Sequence, residues 1–349
     1  MWPLTCLFLL LLLGGLALSC PRECLCHTSD GILTVDCAGR ALHGLPQDIP
    51  GDVGVLILKN NSLDRLPASA FHNFTQLQAL HLQSNRLESL PEDLFLPLPQ
   101  LTHLYLYGNQ LTRLPDRIFA PLQNLERLHL NGNHLSRFSD ALFSSLPRLK
   151  TLVLARNRLE SLSPGSFRNL QSLTVLSLSS NGLASLHPGL FSGLQALRVC
   201  ALYDNKLSAV PAAVFRGLRS LSWLSLARNA VRQLPASLFQ QTGLQHLYAY
   251  DNQLQTIEAK MLEPLVHLKT LDLRQNSLEQ LPEGLFDNAS NLTTVRLQGN
   301  SWQCDCNVRY LRQWLISNRQ LADQPLCMSP PAVRNLPVTD ISEAHVSRC

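Results

Sequence analysis

Residues 101–111 read Leu101-Thr-His-Leu104-Tyr-Leu106-Tyr-Gly-Asn109-Gln-Leu111, and the same frame recurs along most of the 349-residue chain. Leu104 and Leu106 alternate with Tyr105, which is typical of a short strand with one apolar face. Asparagine marks each copy, at steps of 24 residues with a single step of 23 between the eighth and the ninth. The eleven asparagines are Asn61, Asn85, Asn109, Asn133, Asn157, Asn181, Asn205, Asn229, Asn252, Asn276 and Asn300. A fixed period of this length predicts repeats that stack and bury their leucines against one another.

Phenylalanine forms a second column, ten residues after the asparagine, which only Leu262 interrupts. Its members are Phe71, Phe95, Phe119, Phe143, Phe167, Phe191, Phe215, Phe239 and Phe286. We expect these rings to stack as a spine on the outer side of the repeats. The asparagine amide carries donors and an acceptor, so we expect it to satisfy turn backbone groups that would otherwise be buried and unpaired.

The single 23-residue step falls between Phe239 and Leu244, where Thr242 stands at a position usually held by leucine. The following strand carries Ala249 in place of an inward leucine. Outer loops absorb deletions readily, so we expect the deletion to be tolerated there. The pattern predicts a local flattening or weak point near residues 240–250.

With an L-P-x-x-x-F segment after the asparagine, the repeat resembles the typical leucine-rich repeat of extracellular animal proteins. The resemblance implies an α/β solenoid, a horseshoe with a parallel β-sheet on its concave face and disulfide-linked modules capping both ends. Within that family the chain is similar to serum leucine-rich glycoproteins, such as the carboxypeptidase N non-catalytic subunit, leucine-rich alpha-2-glycoprotein and phospholipase A2 inhibitor beta. We expect a signal peptide over 1–19, an N-terminal cysteine-rich cap over 20–50, about ten to eleven repeats over 51–300 and a C-terminal cap over 301–349.

The segment Met1–Ser19 has the features of a secretory signal, with an apolar run over Leu7–Leu18 and small residues before Cys20. A lipoprotein signal that acylates Cys20 is the alternative, but Ala17 stands where such a signal prefers leucine. Later stretches are too polar to span a membrane, and the polar end His345–Cys349 argues against a lipid anchor. The sequence therefore predicts a secreted, extracellular protein with neither a membrane span nor a lipid anchor.

Ten cysteines are present, and Cys6 falls within the predicted signal. Four precede the first repeat and four follow the last, which favours disulfides over the alternative of a zinc site at either end. Both clusters resemble the caps of secreted leucine-rich-repeat proteins, the second by the run Gly299–Cys306, although Ser301 stands where the family usually has proline. The pairs that this resemblance implies are Cys20–Cys26, Cys24–Cys37, Cys304–Cys327 and Cys306–Cys349. Cys200 occupies an inward leucine position and is expected to be a buried thiol.

Composition limits the functions that are plausible. Hydrophobic residues make up 45% of the chain and charged ones 15%, which is enough apolar material for a large core. The net charge of +4 gives no strong case for nucleic acid as a partner. The sequence has no G-x-S-x-G, H-E-x-x-H or phosphate-loop motif. We therefore expect no enzymatic activity, no cofactor and no metal.

The residues six, four, two and one before each asparagine are predicted to face the concave side. Five of the six tyrosines fall at these positions, and tyrosine, tryptophan and arginine dominate protein-binding hot spots. The alternative explanation is that aromatic residues simply favour strands. The candidate ligand-binding residues are His103, Tyr105, Tyr107, Arg127, His129, Tyr203, Trp223, Arg228, His246, Tyr248, Tyr250 and Arg274.

These features predict an extracellular binding protein that recognises a protein ligand on its concave face, as an inhibitor, a carrier or a regulatory subunit of a secreted enzyme. The alternative is a matrix or receptor-type adhesion protein that binds collagen, glycans or microbial ligands. A matrix role would favour a continuous basic stripe, of which Arg274 and Arg296 are only a start. Sequons predict glycosylation at Asn60, Asn73, Asn288 and Asn291.

Overall fold

The computed structural model describes residues 20–346, without the side chains of Ala344 and Val346. The predicted signal peptide and the implied partner of Cys306, which is Cys349, lie outside the described residues.

Thirteen strands form one sheet in which spatial order follows chain order. The first two, β1 (Leu25–Ser29) and β2 (Ile32–Asp36), pair in antiparallel fashion, and every later strand pairs in parallel with its predecessor. The other strands are β3 (Val55–Ile57), β4 (Ala79–His81), β5 (His103–Tyr105), β6 (Arg127–His129), β7 (Thr151–Val153), β8 (Val175–Ser177), β9 (Val199–Ala201), β10 (Trp223–Ser225), β11 (His246–Tyr248), β12 (Thr270–Asp272) and β13 (Thr294–Arg296). One strand per repeat confirms the parallel-sheet solenoid that the period predicts.

Each three-residue strand divides its side chains between two faces, because successive side chains alternate. The middle residue is buried against the same position of the next repeat, as Leu104 is beside Leu80 and Leu128. The flanking residues lie on the opposite face, which we call the open face of the sheet, and most are half-buried, as His103 and Tyr105 are.

The asparagines join each turn to the repeat before it. The Nδ2 of Asn85 donates to the carbonyls of Leu58 and Leu82, both at 3.0 Å, and its Oδ1 accepts from the N–H of Leu63 at 3.1 Å. The same hydrogen bonds recur along the ladder, for example at Asn157 and Asn276. This confirms the predicted role of the asparagine in satisfying buried backbone groups.

The phenylalanine column stacks, as predicted, over its first seven members. From Phe71 to Phe215 neighbouring ring centroids lie 5.8 to 6.5 Å apart, with planes within 19° of parallel. Leu262 interrupts the column but is itself buried. Phe286 instead stacks on Trp314 of the terminal module, with centroids 4.1 Å apart.

The missing residue of the shortened repeat changes the turn that precedes β11 and not the sheet. A 3-10 helix covers Ala236–Phe239, and Gln241 adopts a positive φ of 61°. The sheet pairing remains continuous, with Trp223 opposite His246. The predicted weak point near 240–250 stays a prediction about stability.

Disulfide-linked modules lie at both ends of the sheet. The bonds Cys20–Cys26, Cys24–Cys37 and Cys304–Cys327 are the pairs that the family resemblance implies. At the C-terminal end, helix α1 (Arg309–Ser317) is followed by a one-turn helix α2 (Glu343–Val346). Trp302 is fully buried beside the last repeat and its Nε1 donates to the carbonyl of Leu297 at 3.1 Å. Within residues 20–346, no helix has the length and apolarity needed to cross a bilayer.

Candidate ligand-binding surface

The tyrosines of the repeats lie on the open face of the sheet rather than in the core. Tyr105 and Tyr248 are half-buried, and 38% of the surface of Tyr203 is exposed. Each directly follows a buried leucine, so the alternation of side chains directs it to the opposite face of the sheet. The candidate residues divide into two groups, which are separated by β7 and β8 with their small or aliphatic side chains.

The first group, the histidine–tyrosine patch, is centred on Tyr105 of β5. Its ring stacks on His81 of β4 with centroids 4.5 Å apart and meets the edge of the His129 ring of β6 at 5.0 Å. These three residues are in register across neighbouring strands. Tyr107 completes the patch at 6.3 Å from His129. Among the predicted residues the structure brings together His103, Tyr105, Tyr107, Arg127 and His129.

The imidazoles of this patch are disposed to be neutral near pH 7. Burial lowers the pKa of His81 to about 4, and the positive charge of Lys59 acts in the same direction. Burial, then the nearby Arg127, lowers the pKa of His103 and of His129. With these rings neutral, the patch offers amphipathic ring surface, and its positive charge comes from Arg127 rather than from the imidazoles.

Gln83 adds a polar group that sequence reasoning did not place among the candidates. Its side chain is buried, and its Nε2 lies 3.3 Å from Nδ1 of His81. Its Oε1 has no hydrogen-bond partner among the described residues. A buried acceptor without a partner is costly, so this atom is suited to a donor supplied by a ligand or by water.

The second group, the aromatic–arginine pocket, spans β9 to β13. The rings of Trp223 and Tyr248 lie 5.4 Å apart on adjacent strands. A cavity of about 470 Å³ opens beside them. Its lining residues are Tyr203, Trp223, Ser225, Tyr248, Tyr250, Asp272, Arg274 and Arg296. The structure thus brings together five of the predicted residues, and Ser225, Asp272 and Arg296 are additions to that set.

An ion pair forms the floor of the pocket. Asp272 is almost fully buried, although its position in the repeat places it on the open face. The Nε of Arg274 donates to Oδ1 of Asp272 at 2.9 Å and its Nη2 donates to Oδ2 at 2.7 Å. The hydrogen bond to Asp272 raises the pKa of Arg274. The guanidinium carbon also lies 5.5 Å from the centre of the Tyr250 ring, a cation–π distance.

Two predicted residues lie outside both groups. Arg228 is exposed in the turn after β10, 3.7 Å from Asp251, and His246 pairs through Nδ1 with the hydroxyl of Thr270 at 3.0 Å. Between the groups, β7 and β8 present small or aliphatic side chains such as Val153 and Ser177. Such small side chains can fit against a ligand but provide few hydrogen bonds or large apolar contacts.

A larger cavity of about 580 Å³ lies away from the open face, among the first turns. It is lined by residues of the Leu-Pro segments that occur in several repeats, including Leu90, Pro91, Leu114 and Pro115. Because the repeat itself creates this groove and no aromatic ring lines it, we assign it no ligand.

The structure also places the free cysteine and the glycosylation sequons that the sequence analysis singled out. Cys200 is fully buried, and burial raises its pKa to about 12, so the thiol is unreactive at neutral pH. The four sequon asparagines, Asn60, Asn73, Asn288 and Asn291, are exposed. Nδ2 of Asn291 donates to the carbonyl of Val266 at 2.7 Å. Among residues 20–346 there is no cluster of histidine, cysteine, aspartate or glutamate that could hold a metal.

Comparison with known families gives matches along the repeats. The family described as "Leucine rich repeat" matches residues 53–111, 107–159, 147–199, 197–254 and 242–301. Leucine-rich repeat-containing protein 3 of Mus musculus is 40% identical over 78 residues, which is 22% of this chain and 30% of that protein. The immunoglobulin superfamily containing leucine-rich repeat protein of Bos taurus is 41% identical over 76 residues, 22% of this chain and 18% of that protein. The chain therefore matches less than a third of the length of these relatives.

Solved structures match over more of the chain. One chain in an octameric complex of Latrophilin 3, Unc5D and FLRT2, whose leucine-rich-repeat part is FLRT2, superposes with a TM-score of 0.80 and 28% identity. That match covers 94% of this chain and 99% of the other. A leucine-rich-repeat protein of Leptospira interrogans matches with a TM-score of 0.58 and 27% identity, over 81% of each chain.

Proposed function

This chain belongs to the leucine-rich-repeat family, and we propose that it is an extracellular binding protein that recognises a protein ligand on the open face of its sheet. The observation that carries the proposal is the aromatic–arginine pocket, where Trp223 and Tyr248 lie beside Arg274 on a surface that the fold leaves uncovered. Such residues bury a large area on binding while offering polar tips, which is why they dominate hot spots.

Within this function, we propose a role as an inhibitor, a carrier or a regulatory subunit of a secreted enzyme, which the resemblance of the repeat sequence to that of serum leucine-rich glycoproteins suggests. In that role the chain supplies the binding surface and performs no catalysis itself. A receptor-type role is the second candidate. It is favoured by the match to the leucine-rich-repeat part of the complex with Latrophilin 3 and Unc5D, which extends over nearly all of both chains.

We propose that the protein is secreted, with residues 1–19 as signal peptide, 20–50 and 301–349 as caps and 51–300 as repeats. The disulfides support this location, since such bonds persist in oxidising compartments. We propose Asn73 and Asn288 as the preferred glycan acceptors. Both are exposed, whereas the amide nitrogen of Asn291 is committed to the carbonyl of Val266.

The test is affinity capture from plasma or extracellular fluid with the immobilised full chain, followed by quantitative mass spectrometry. One variant carries Tyr248→Ala and Tyr250→Ala, and a second carries Tyr105→Ala and Tyr107→Ala. The control carries Leu96→Ala and Val266→Ala, which remove exposed apolar side chains outside the strands.

We expect specific partners to be retained by the wild type and the control and to be depleted, by about tenfold or more, with at least one tyrosine variant. The tyrosine variants should keep the wild-type unfolding midpoint, because these side chains are outside the core. Equal capture of every partner by both tyrosine variants and the wild type would overturn the proposal.

A further inference from the structure

We propose that the aromatic–arginine pocket recognises a carboxylate next to an apolar or aromatic group, with Arg296 and the free edge of Arg274 binding the anion. The ligand would be an acidic side chain or a chain terminus of the partner protein. This inference rests on the proposed function and specifies the chemistry that one of its two surfaces selects.

Arg274 is held in place from two sides. Asp272 accepts from its Nε and Nη2, and the ring of Tyr250 lies against the guanidinium. An arginine side chain has five N–H donors in a fixed fork, so this arrangement leaves the donors on its other edge for a ligand. Because the pair with Asp272 is already formed, little rotamer entropy would be lost when an acceptor binds.

Arg296 supplies the positive charge that the floor ion pair lacks. It stands directly opposite Asp272 in the pairing of β12 with β13, and its side chain is exposed. The bidentate hydrogen bonds of Asp272 go to Arg274, and no carboxylate of the described residues forms an ion pair with Arg296. The two arginines and Asp272 together give the lining of the pocket a net positive charge.

Asp323 is a second carboxylate whose charge raises the pKa of Arg274. It does not line the pocket, and its oxygens accept from the backbone N–H groups of Leu297 at 2.8 Å and Gln298 at 3.2 Å. This carboxylate is therefore committed to the backbone after β13, and the positive character of the pocket persists.

A cationic ligand is disfavoured by the same geometry. The buried carboxylate of Asp272 is already neutralised, and Arg274 already lies over the face of Tyr250 that would attract a cation. An incoming ammonium group would meet two guanidinium groups. An anion, in contrast, would form charge-assisted hydrogen bonds with both.

The aromatic walls of the pocket favour a ligand that carries an apolar group next to its carboxylate. The ring centroids of Trp223 and Tyr248 lie 5.4 Å apart, and both rings line the cavity. The cavity of about 470 Å³ has room for a side chain rather than only for an isolated ion. A ligand that combines an apolar or aromatic side chain with a carboxylate matches both the walls and the floor.

The test uses the full-length protein and three N-acetylated dipeptides, with binding measured by ligand-observed NMR titration. The probes are N-acetyl-Phe-Asp-amide, N-acetyl-Phe-Asn-amide and N-acetyl-Asn-Phe with a free terminal carboxylate. The first and third differ in the source of the carboxylate, and the second has none. Arg296→Gln is the test variant, and Arg158→Gln is the control because it removes the same charge from an exposed arginine outside both groups of candidate residues.

We expect at least one carboxylate probe to bind the wild type about tenfold more tightly than the Asn probe, as charge-assisted bonds require. Arg296→Gln should reduce that preference to about twofold or less, and Arg158→Gln should leave it unchanged. Whichever carboxylate probe binds more tightly identifies the source of the anion.

Equal binding of all three probes, no saturable binding of either carboxylate probe, or a preference that survives Arg296→Gln would overturn the inference. None of these results would by itself remove the proposed function, which fails only if protein capture is independent of both tyrosine pairs.

Discussion

At the scale of the residue, Asn157 shows how one side chain joins two repeats. Its Nδ2 donates to the carbonyls of Leu130 and Leu154, both at 3.0 Å, and its Oδ1 accepts from the N–H of Leu135 at 3.0 Å. Asn157→Ala would leave these buried backbone groups unpaired, and we expect a loss of about 1–3 kcal/mol in the free energy of unfolding. Chemical denaturation followed by circular dichroism measures this loss.

The matched control is Asn124→Ala, since Asn124 also bridges repeats but at the surface, where its Nδ2 donates to the carbonyl of Pro99 at 2.9 Å. Water can replace that hydrogen bond, and we expect a change within about 0.5 kcal/mol. Similar losses in the two variants would contradict the special role of the ladder position.

His81 couples stability to pH. Its pKa is about 4 in the folded chain against an ordinary value of 6.5, mainly because the ring is buried. Below pH 6.5 the unfolded chain therefore binds the proton more readily, so the contribution of His81 to stability is complete above that pH and is lost as the pH falls toward 4. We expect the free energy of unfolding to fall more steeply across this window in the wild type than in His81→Gln.

The comparison with His81→Gln isolates one imidazole, because His103 and His129, whose pKa values are also lowered by burial, are present in both proteins. Parallel stability curves for the two proteins from pH 7 to pH 4 would show that the buried neutral ring is not the source of the effect.

Single residues also mark the limit of the sequence prediction. The period predicts that Asn157 lies at the ladder, because every copy of the frame needs the same hydrogen bonds. It predicts the face on which Asp272 lies but neither its burial nor its hydrogen bonds with Arg274, which lies two residues after the end of β12. That contact depends on two side chains that occur in only one repeat, so periodicity carries no information about it.

At the scale of the element, the L-x-L pattern predicts each strand and its inward residue, because alternation needs only local geometry. The conformation of the turn in the shortened repeat cannot be predicted from local alternation in this way. The missing residue is visible as the 23-residue step, but the 3-10 helix at Ala236–Phe239 and the positive φ of Gln241 depend on packing against the previous turn.

Gly243 lies in this short turn and closely approaches the backbone of the preceding repeat. A Cβ added there would lie 2.6 Å from the carbonyl oxygen of Arg219, a backbone atom that cannot move aside cheaply. We expect Gly243→Ala to lower the free energy of unfolding by about 1–3 kcal/mol, as overpacking does. Equilibrium denaturation of the purified variant measures this cost.

Gly189→Ala provides the comparison within another turn. An added Cβ at Gly189 would meet only the ring of His187, at 3.6 Å and 3.7 Å, which is ordinary contact. We expect an unchanged or slightly raised stability there, because alanine restricts the unfolded chain. If the two substitutions had equal effects, the close approach in the short repeat would not be a determinant of stability.

At the scale of the whole molecule, the fold follows from repetition, whereas the proposed binding surface follows from departures from it. Every repeat supplies the same leucines, so the sequence suffices to predict the solenoid. Tyr105 and Tyr248 occupy equivalent positions in different repeats, but one lies between imidazoles and the other lies next to an indole ring. The sequence predicts that both face outward, and only the packing of neighbouring side chains creates two chemically distinct surfaces.

The C-terminal module tests whether the molecule behaves as a linear stack. Because each repeat contacts only its neighbours, a damaged end should loosen nearby strands and leave distant ones unaffected. Replacing both Cys304 and Cys327 with serine removes a buried disulfide, which we expect to cost about 2–4 kcal/mol at that end. Amide hydrogen exchange reports this loss strand by strand.

The N–H of Val295 in β13 donates to the carbonyl of Leu321 at 2.8 Å, so it should exchange at least about tenfold faster in the double variant. The N–H of Leu130, just after β6, donates to Val153 at 2.8 Å and should keep its wild-type rate. Equal acceleration at both sites would mean that the chain unfolds as a single cooperative unit. If exchange is faster only near the module, the module stabilises β13, the strand that carries Arg296. It then supports the proposed binding surface as well as covering the core.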